Sequence, residues 1–315
     1  RILRGSAVFT RHPQRLWKKY MVTLFSLDDA ALSRRLERLA SLAWLPGALL
    51  EIVGGTLRLQ RAARSSLNPP DAARLAVAGP EARAQGAPWL PAADFPYDPA
   101  PASPLWDELC SLLASLRGSP AEAVQTLRRE TAADEMLPAK AFAAFMQNDE
   151  AFFSAWAARL PQAPALIHFL AQATLTPQLA AVTDALATAR DDRRVWEHGH
   201  CPHCGRPPFM GELHGKEGLR RHTCSFCGAS YRAARLQCPF CLERGEDKLR
   251  MFTTDSLPFF EVHVCKTCNN YIKLADLREQ AEALPAALSD LASLPLDMLA
   301  RQEGYSRPTP SAWGF

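Results

Sequence analysis

Eight of the nine cysteines lie between Cys201 and Cys268 as four Cys-x-x-Cys pairs: Cys201/Cys204, Cys224/Cys227, Cys238/Cys241 and Cys265/Cys268. Paired thiols at this spacing hold metal or carry out redox exchange, and a chain of 315 residues that is 48% hydrophobic has no need of disulfide staples. The first two pairs are separated by 19 residues and the next two by 23, which suits two tetrahedral four-cysteine sites, each made from two turns at the ends of a β-hairpin. Four pairs combine into two sites in three ways. Loop-closure entropy hardly separates them, and hairpin geometry favours adjacent pairing. The expected ligands are therefore Cys201, Cys204, Cys224 and Cys227 for one site, and Cys238, Cys241, Cys265 and Cys268 for the other. Gly205 and Gly228 follow their pairs where a positive φ is often needed, and Asn269 can serve the same purpose. Leu242 does not fit that pattern, so its turn is expected to differ.

All-thiolate sets suit zinc or iron, and ligand type alone does not separate them. Four thiolates give a net −2 around Zn²⁺ and −1 around Fe³⁺. Arg206, Lys216, Arg220, Arg221, Arg232 and Arg235 surround the first set, either offsetting this charge or forming a solvated face. Two other uses of the pairs stand beside structural metal: a redox protein passing electrons, and a nucleic-acid-binding zinc ribbon. A thioredoxin-like βαβ pattern is absent, and residues 201–273 carry 11 basic against 7 acidic residues, an excess that bound metal would largely cancel. Over the whole chain 36 basic residues face 33 acidic ones, which argues against nucleic acid as the main partner. No phosphate loop, His-Glu-x-x-His helix or nucleophile elbow occurs. A site filled by four cysteines also lacks the open position that catalytic zinc needs, so no catalytic residue is assigned and the chain is not expected to be an enzyme. The histidines near the pairs (His198, His200, His203, His222 and His263) are expected in outer-sphere or surface roles. His168 is expected to be a satisfied core residue, and Cys110 a small buried hydrophobe.

The elements that must position these turns divide the chain. Residues 1–195 read as an α-helical domain, 196–236 as a first four-cysteine module, and 237–315 as a second with a helical tail. Leu32, Leu36, Leu39 and Ala43 repeat at helical spacing, with Ser26 placed to cap them, and Leu105, Leu109, Leu112 and Leu116 form another stripe behind Ser103-Pro104. Ser119-Pro120 with Glu122 makes a capping box, and Thr176-Pro177 repeats the device. The uncharged run Leu160–Thr183 is long enough for a bilayer, but its prolines predict two short Pro-started helices and no membrane insertion. Arg11, Arg15, Lys18 and Lys19 interrupt any signal-peptide core, so a cytoplasmic location is expected. Residues 68–104 hold 9 of the 25 prolines and predict a long irregular loop that wraps the helices or binds a partner. Past His200, β-prone runs replace the Ala/Leu stripes, and 201–273 holds 8 of the 20 Phe and Tyr residues, as a small stapled sheet requires. A last helical region is expected from Leu274 to about Glu303.

Four segments together resemble the FdhE family of formate dehydrogenase accessory proteins. They are Cys201-Pro-His-Cys-Gly-Arg-Pro-Pro, Thr223-Cys-Ser-Phe-Cys, Arg235-Leu-Gln-Cys-Pro-Phe-Cys, and Cys265-Lys-Thr-Cys-Asn-Asn-Tyr-Ile-Lys273. The tail Asp290-Leu-Ala-Ser-Leu-Pro-Leu-Asp-Met-Leu with Glu303-Gly-Tyr305 is similar as well. The chain departs from the family's usual residues at Ala229–Arg232 and Glu261–His263. The resemblance implies a helical domain followed by two rubredoxin-like modules and a C-terminal helix, with iron favoured over zinc. It further implies a cytoplasmic assembly role on the molybdenum- or tungsten-containing catalytic subunit of respiratory formate dehydrogenase before export. It says nothing of oligomeric state.

Overall fold

A helix without a polar stripe along most of its length has to be surrounded, and the longest helix among the described residues is of that kind. The computed structural model describes residues 23–116, 118–189, 194–280 and 282–313; the basic residues Arg11 to Lys19 lie outside them. Its helices are α1 (Asp29–Ala40), α2 (Gly47–Ser66), α3 (Pro80–Ala84), α4 (Pro99–Ser115), α5 (Ser119–Ala133), α6 (Leu137–Gln147), α7 (Glu150–Arg159) and α8 (Leu166–Ala189). Leu170, Leu175, Leu179, Val182 and Leu186 bury α8 among α2, α4, α6 and α7. Among the described residues no helix is long and apolar enough to cross a membrane.

Proline misled the sequence reading twice. Pro104 and Pro177 lie inside α4 and α8 and start no helix. Pro177 has no N–H for the carbonyl of Ala173, and the side chain of Gln60 on α2 replaces it: Gln60 Nε2 donates to Ala173 O at 2.8 Å. Thr176 therefore caps nothing and donates its hydroxyl to Gln172 O at 2.7 Å. Helix α4 begins earlier, at Pro99, with Asp98 accepting from Ala100 N at 2.9 Å. Asp28, not Ser26, caps α1 by accepting from Ala31 N. The Ser119 side chain lies outside the described residues. His168 is not satisfied either. Its ring sits 4.8 Å from that of Phe153, Nδ1 has no partner among the described residues, and burial lowers its pKa and keeps it neutral.

Six strands follow: β1 (Pro208–His214), β2 (Leu219–Cys224), β3 (Ser230–Arg232), β4 (Leu249–Phe252), β5 (Phe260–Cys265) and β6 (Tyr271–Asp276). They form one sheet in the order β3-β2-β1-β6-β5-β4. Each set of three strands is an antiparallel ribbon, and the two ribbons lie side by side because β1 pairs with β6 in parallel, Met210 opposite Lys273. Leu274 and its neighbours thus extend a strand where a helix was expected. The tail forms two short helices, α9 (Ala286–Ala292) and α10 (Leu294–Gln302).

A buried ionic cluster holds this tail beneath the sheet. Lys273 Nζ, wholly buried, lies 2.9 Å from Asp290 Oδ1 and 2.6 Å from Asp297 Oδ2. Arg307 Nη2 reaches Asp290 Oδ1 at 2.7 Å, and Tyr271 donates its hydroxyl to Asp297 Oδ1 at 2.7 Å. Two cations balance two carboxylates, so the cluster as a whole carries no net charge. Removing one member would strand the others in a low dielectric, at a cost of about 3–5 kcal/mol.

Gln60→Ala should destabilise the chain by about 1–2 kcal/mol by orphaning the Ala173 carbonyl. In a Pro177→Ala background the helix regains its own N–H donor and the same change should cost distinctly less. Urea unfolding of the four-member cycle measures the coupling.

Candidate metal centres

Each quartet is assembled by one ribbon. The first pair of a ribbon precedes its first strand, and the second pair joins its second strand to its third, so the hairpin folds one turn over the other. All four turns close alike. The N–H of the first cysteine in each pair donates to the carbonyl five residues on: Cys201 to Arg206 at 2.8 Å, Cys224 to Ala229 at 3.0 Å, Cys238 to Glu243 at 2.9 Å and Cys265 to Asn270 at 2.9 Å. Gly205, Gly228, Leu242 and Asn269 all take positive φ, at 81°, 68°, 65° and 55°. The Leu242 turn therefore does not differ. A leucine tolerates this conformation because its side chain packs on Gly199, where a Cβ would lie 2.9 Å from Leu242 Cδ2.

The sulfurs converge as adjacent pairing requires. Within each quartet all four Sγ atoms lie within 4.8 Å of one another. Cys201 to Cys227 spans 3.7 Å and Cys204 to Cys224 3.3 Å; Cys238 to Cys268 spans 3.7 Å and Cys241 to Cys265 3.6 Å. A tetrahedron with metal–sulfur bonds of about 2.3 Å has edges of about 3.8 Å, so both quartets have the shape of a four-thiolate metal site and are far too open for disulfides. His203 N and Phe226 N point at Cys201 Sγ and Cys224 Sγ at 3.3 and 3.4 Å, as donors to thiolate would. Burial pushes the Cys201 and Cys204 thiols well up, so four thiolates are stable there only around a cation.

The two quartets differ in surroundings. All four cysteines of the first are buried, whereas in the second Cys241 is exposed and Cys268 half-buried. The helical domain closes over the first. Phe226, inside the second turn, stacks on Phe145 at 5.4 Å and meets Phe95 edge-on at 5.6 Å; Thr183 on α8 donates its hydroxyl to Cys227 O at 3.1 Å. The proline-rich segment contributes most. Trp89, Leu90 and Ala92 donate backbone N–H groups to the carbonyls of Pro202, His203 and Cys204 at 2.8, 2.9 and 3.0 Å. This stretch, expected as a loop that wraps the helices or binds a partner, is a brace on the first cysteine turn.

The family model described as "FdhE, C-terminal domain" matches residues 236–313. A protein FdhE homolog of Pseudomonas aeruginosa is 31% identical over 301 residues, covering 89% of this chain and 88% of the relative. The chain belongs to the FdhE family. Its match to an FdhE homolog of Aquifex aeolicus is 31% identical over 153 residues, and that to one of Stutzerimonas stutzeri 35% over 155, so the chain spans about half the length of these relatives (53% and 48%). The crystal structure of the FdhE protein from Pseudomonas aeruginosa superposes with a TM-score of 0.61 at 27% identity, over 91% of this chain and 94% of that one. The arrangement of helical region, small sheet and C-terminal helices is thus shared with that structure.

Around the quartets, the basic residues do not form one solvated face. Arg220 and Arg221 are buried, and Arg206 donates to Met146 O at 3.0 Å, tying the first turn to α6. His263 Nε2 contacts Glu261 Oε2 at 2.7 Å, and His222 Nε2 accepts from Arg220 Nε at 2.9 Å. Neither imidazole is a ligand in this arrangement. Cys110 is buried on α4 and its thiol is pushed up to about 12 by that burial, as a small apolar residue would be. The Lys273 cluster is what sequence reasoning missed. Four of its five members, Tyr271, Lys273, Asp290 and Asp297, stand in the segments that carry the family resemblance, and Arg307 lies beyond them; nothing in their spacing announces that they meet.

Gly228→Ala should cost about 1 kcal/mol, from backbone conformation alone, since no atom lies within 4 Å of the added Cβ. Gly199→Ala should cost about 2–4 kcal/mol, because its Cβ would fall 2.3 Å from the Pro239 carbonyl oxygen and push the Leu242 turn away. Urea midpoints of the two variants compare them.

Proposed function

We propose that this FdhE-family chain is an accessory protein in the maturation of respiratory formate dehydrogenase. It acts in the cytoplasm, on the molybdenum- or tungsten-containing catalytic subunit before export, and does not itself oxidise formate. The observation that carries this reading is the unequal placement of the two quartets within a family-wide architecture. The first is sealed between helices and sheet, where it can only hold structure. The second opens to solvent at Cys241, and Leu236 and Met251 stand exposed beside it at 63% and 58%. Exposed apolar side chains next to a cysteine site suit a surface that meets another protein. Neither quartet has the open coordination position that substrate chemistry at a metal requires.

Each quartet is proposed to hold one metal ion: Cys201, Cys204, Cys224 and Cys227 the first, and Cys238, Cys241, Cys265 and Cys268 the second. Iron is favoured by the resemblance to rubredoxin-like modules, and zinc fits the same donor set. Bound metal supplies a cross-link between the two turns of each ribbon and, in the case of iron, a one-electron couple as well. The proposed domain division is helices to residue 195, the first ribbon over 196–236, and the second ribbon with its tail over 237–315.

Elemental analysis of the full chain should find two metal equivalents, and Cys201→Ala or Cys238→Ala should each lose one. Anaerobic affinity purification from the native organism should recover a formate dehydrogenase catalytic subunit. Leu236→Glu with Met251→Glu should abolish that recovery while leaving both metals bound. A cell lacking this protein that still matures active formate dehydrogenase normally would refute the assignment.

A further inference from the structure

Arg220 stands on β2 of the first ribbon and is only 4% exposed. Its Nε donates to His222 Nε2 at 2.9 Å, and its Nη1 donates to the carbonyls of Arg235 at 2.9 Å and Gln237 at 3.5 Å. All three acceptors are neutral. Among the described residues no carboxylate lies within 4.0 Å of its nitrogens. A guanidinium taken out of water without an opposite charge is strongly unfavourable, so a compensating group is required.

Arg220 shares a cavity with the second quartet. Arg220 lines a cavity of about 150 Å³ between the ribbons, and the same walls carry Cys238 and Cys265 of the second quartet. No Asp or Glu lines that cavity. The carbonyls that Arg220 holds belong to the segment running directly into Cys238. Burial lowers the arginine to about 10, which leaves it charged at neutral pH.

We propose that Arg220 of the first ribbon is the counter-charge of the second ribbon's four-cysteine metal site. This rests on the metal reading above. Four thiolates around a divalent or ferric ion leave a net negative charge, and a buried guanidinium lining the same cavity offsets part of it. Each ribbon then depends on the other: the second site retains its ion better with Arg220 in place, and an empty second site leaves a buried charge uncompensated in β2. Arg220 is a positioning residue that acts through the field at the site, not a ligand.

The test follows metal release site by site in the full, metal-loaded chain. Excess EDTA is added, iodoacetamide pulses alkylate cysteines as they lose metal, and mass spectrometry reads each cysteine peptide. Arg220→Gln should speed alkylation of Cys238, Cys241, Cys265 and Cys268 about tenfold, with Cys201, Cys204, Cys224 and Cys227 protected as in the wild type. Arg220→Lys, which keeps the charge, should stay near wild type, and so should Arg250→Gln, whose charge lines the same cavity but is exposed to solvent. Equal acceleration of both quartets, no acceleration, or a lysine variant as leaky as glutamine would overturn the inference. Should Arg220→Gln not fold, hydrogen exchange on the unmodified chain decides. Partial stripping of the more exposed second quartet should release the β2 amides around Arg220, and unchanged protection there would refute the coupling. A wild-type chain that holds no metal would instead bring down the metal reading, and this inference with it.

Discussion

Neither three-stranded ribbon is large enough to bury a core of its own, and the parallel pairing of β1 with β6 is the contact that removes this limit. Through it two small hairpin units become one six-stranded sheet with a protected face. The Lys273 cluster lies directly under the joint: Lys273 is the residue opposite Met210 in the β1–β6 register, and its carboxylate partners come from the two tail helices. The segment beyond those helices then returns to β1, where Arg307 donates to Phe209 O at 3.1 Å and Thr309 to Pro208 O at 3.1 Å. Strand, tail helix and returning chain therefore fasten both sides of one seam. A buried ion cluster is weak evidence for stability, because hydrophobic replacements often do as well. Its value here is directional, since only one register of β6 against the tail places an ammonium between two carboxylates.

The cysteine turns were legible because their chemistry is local. Spacing within a pair sets the turn, and spacing between pairs sets the hairpin, so both quartets and their adjacent pairing follow from the sequence. Three of the four left-handed positions were legible for the same reason, being Gly205, Gly228 and Asn269. Leu242 was not, since what permits a leucine there is Gly199, 43 residues earlier in the chain and brought alongside only by the fold. Proline signals failed for a related reason. A Pro177 inside a helix is tolerated once a donor from another helix serves the stranded carbonyl, and Gln60 lies 113 residues from Ala173. Tyr271, Lys273, Asp290 and Asp297 were visible as characters of a family pattern, but a pattern of identities does not disclose that the four side chains share one buried site.

The proline-rich segment connects these two kinds of information. Its composition predicts irregular backbone, and the backbone is irregular for most of its length. What composition does not convey is that three successive donors of this segment meet three carbonyls of the first cysteine turn. Backbone groups that an irregular segment does not pair internally are left available to pair with another irregular segment. A cysteine turn is in the same position, with carbonyls pointing outward around its sulfurs. Each therefore satisfies the other, and side chains reinforce the grip: Arg83 donates to Pro202 O at 2.7 Å and Thr183 to Cys227 O at 3.1 Å.

The same logic separates the two quartets by task. The first, held by that brace and by Phe226 in the helical core, is fixed to the larger domain as a rigid foot. The second is tied to the tail, whose Ser306 N donates to Asn269 O at 2.8 Å, and to the first ribbon through the sheet seam and the Leu242–Gly199 contact. Rigid support behind one ribbon and solvent in front of the other is the arrangement expected of a protein that presents a cysteine-lined surface to something else. In a chain whose proposed client is another protein, the buried quartet sets the orientation and the exposed one supplies the face.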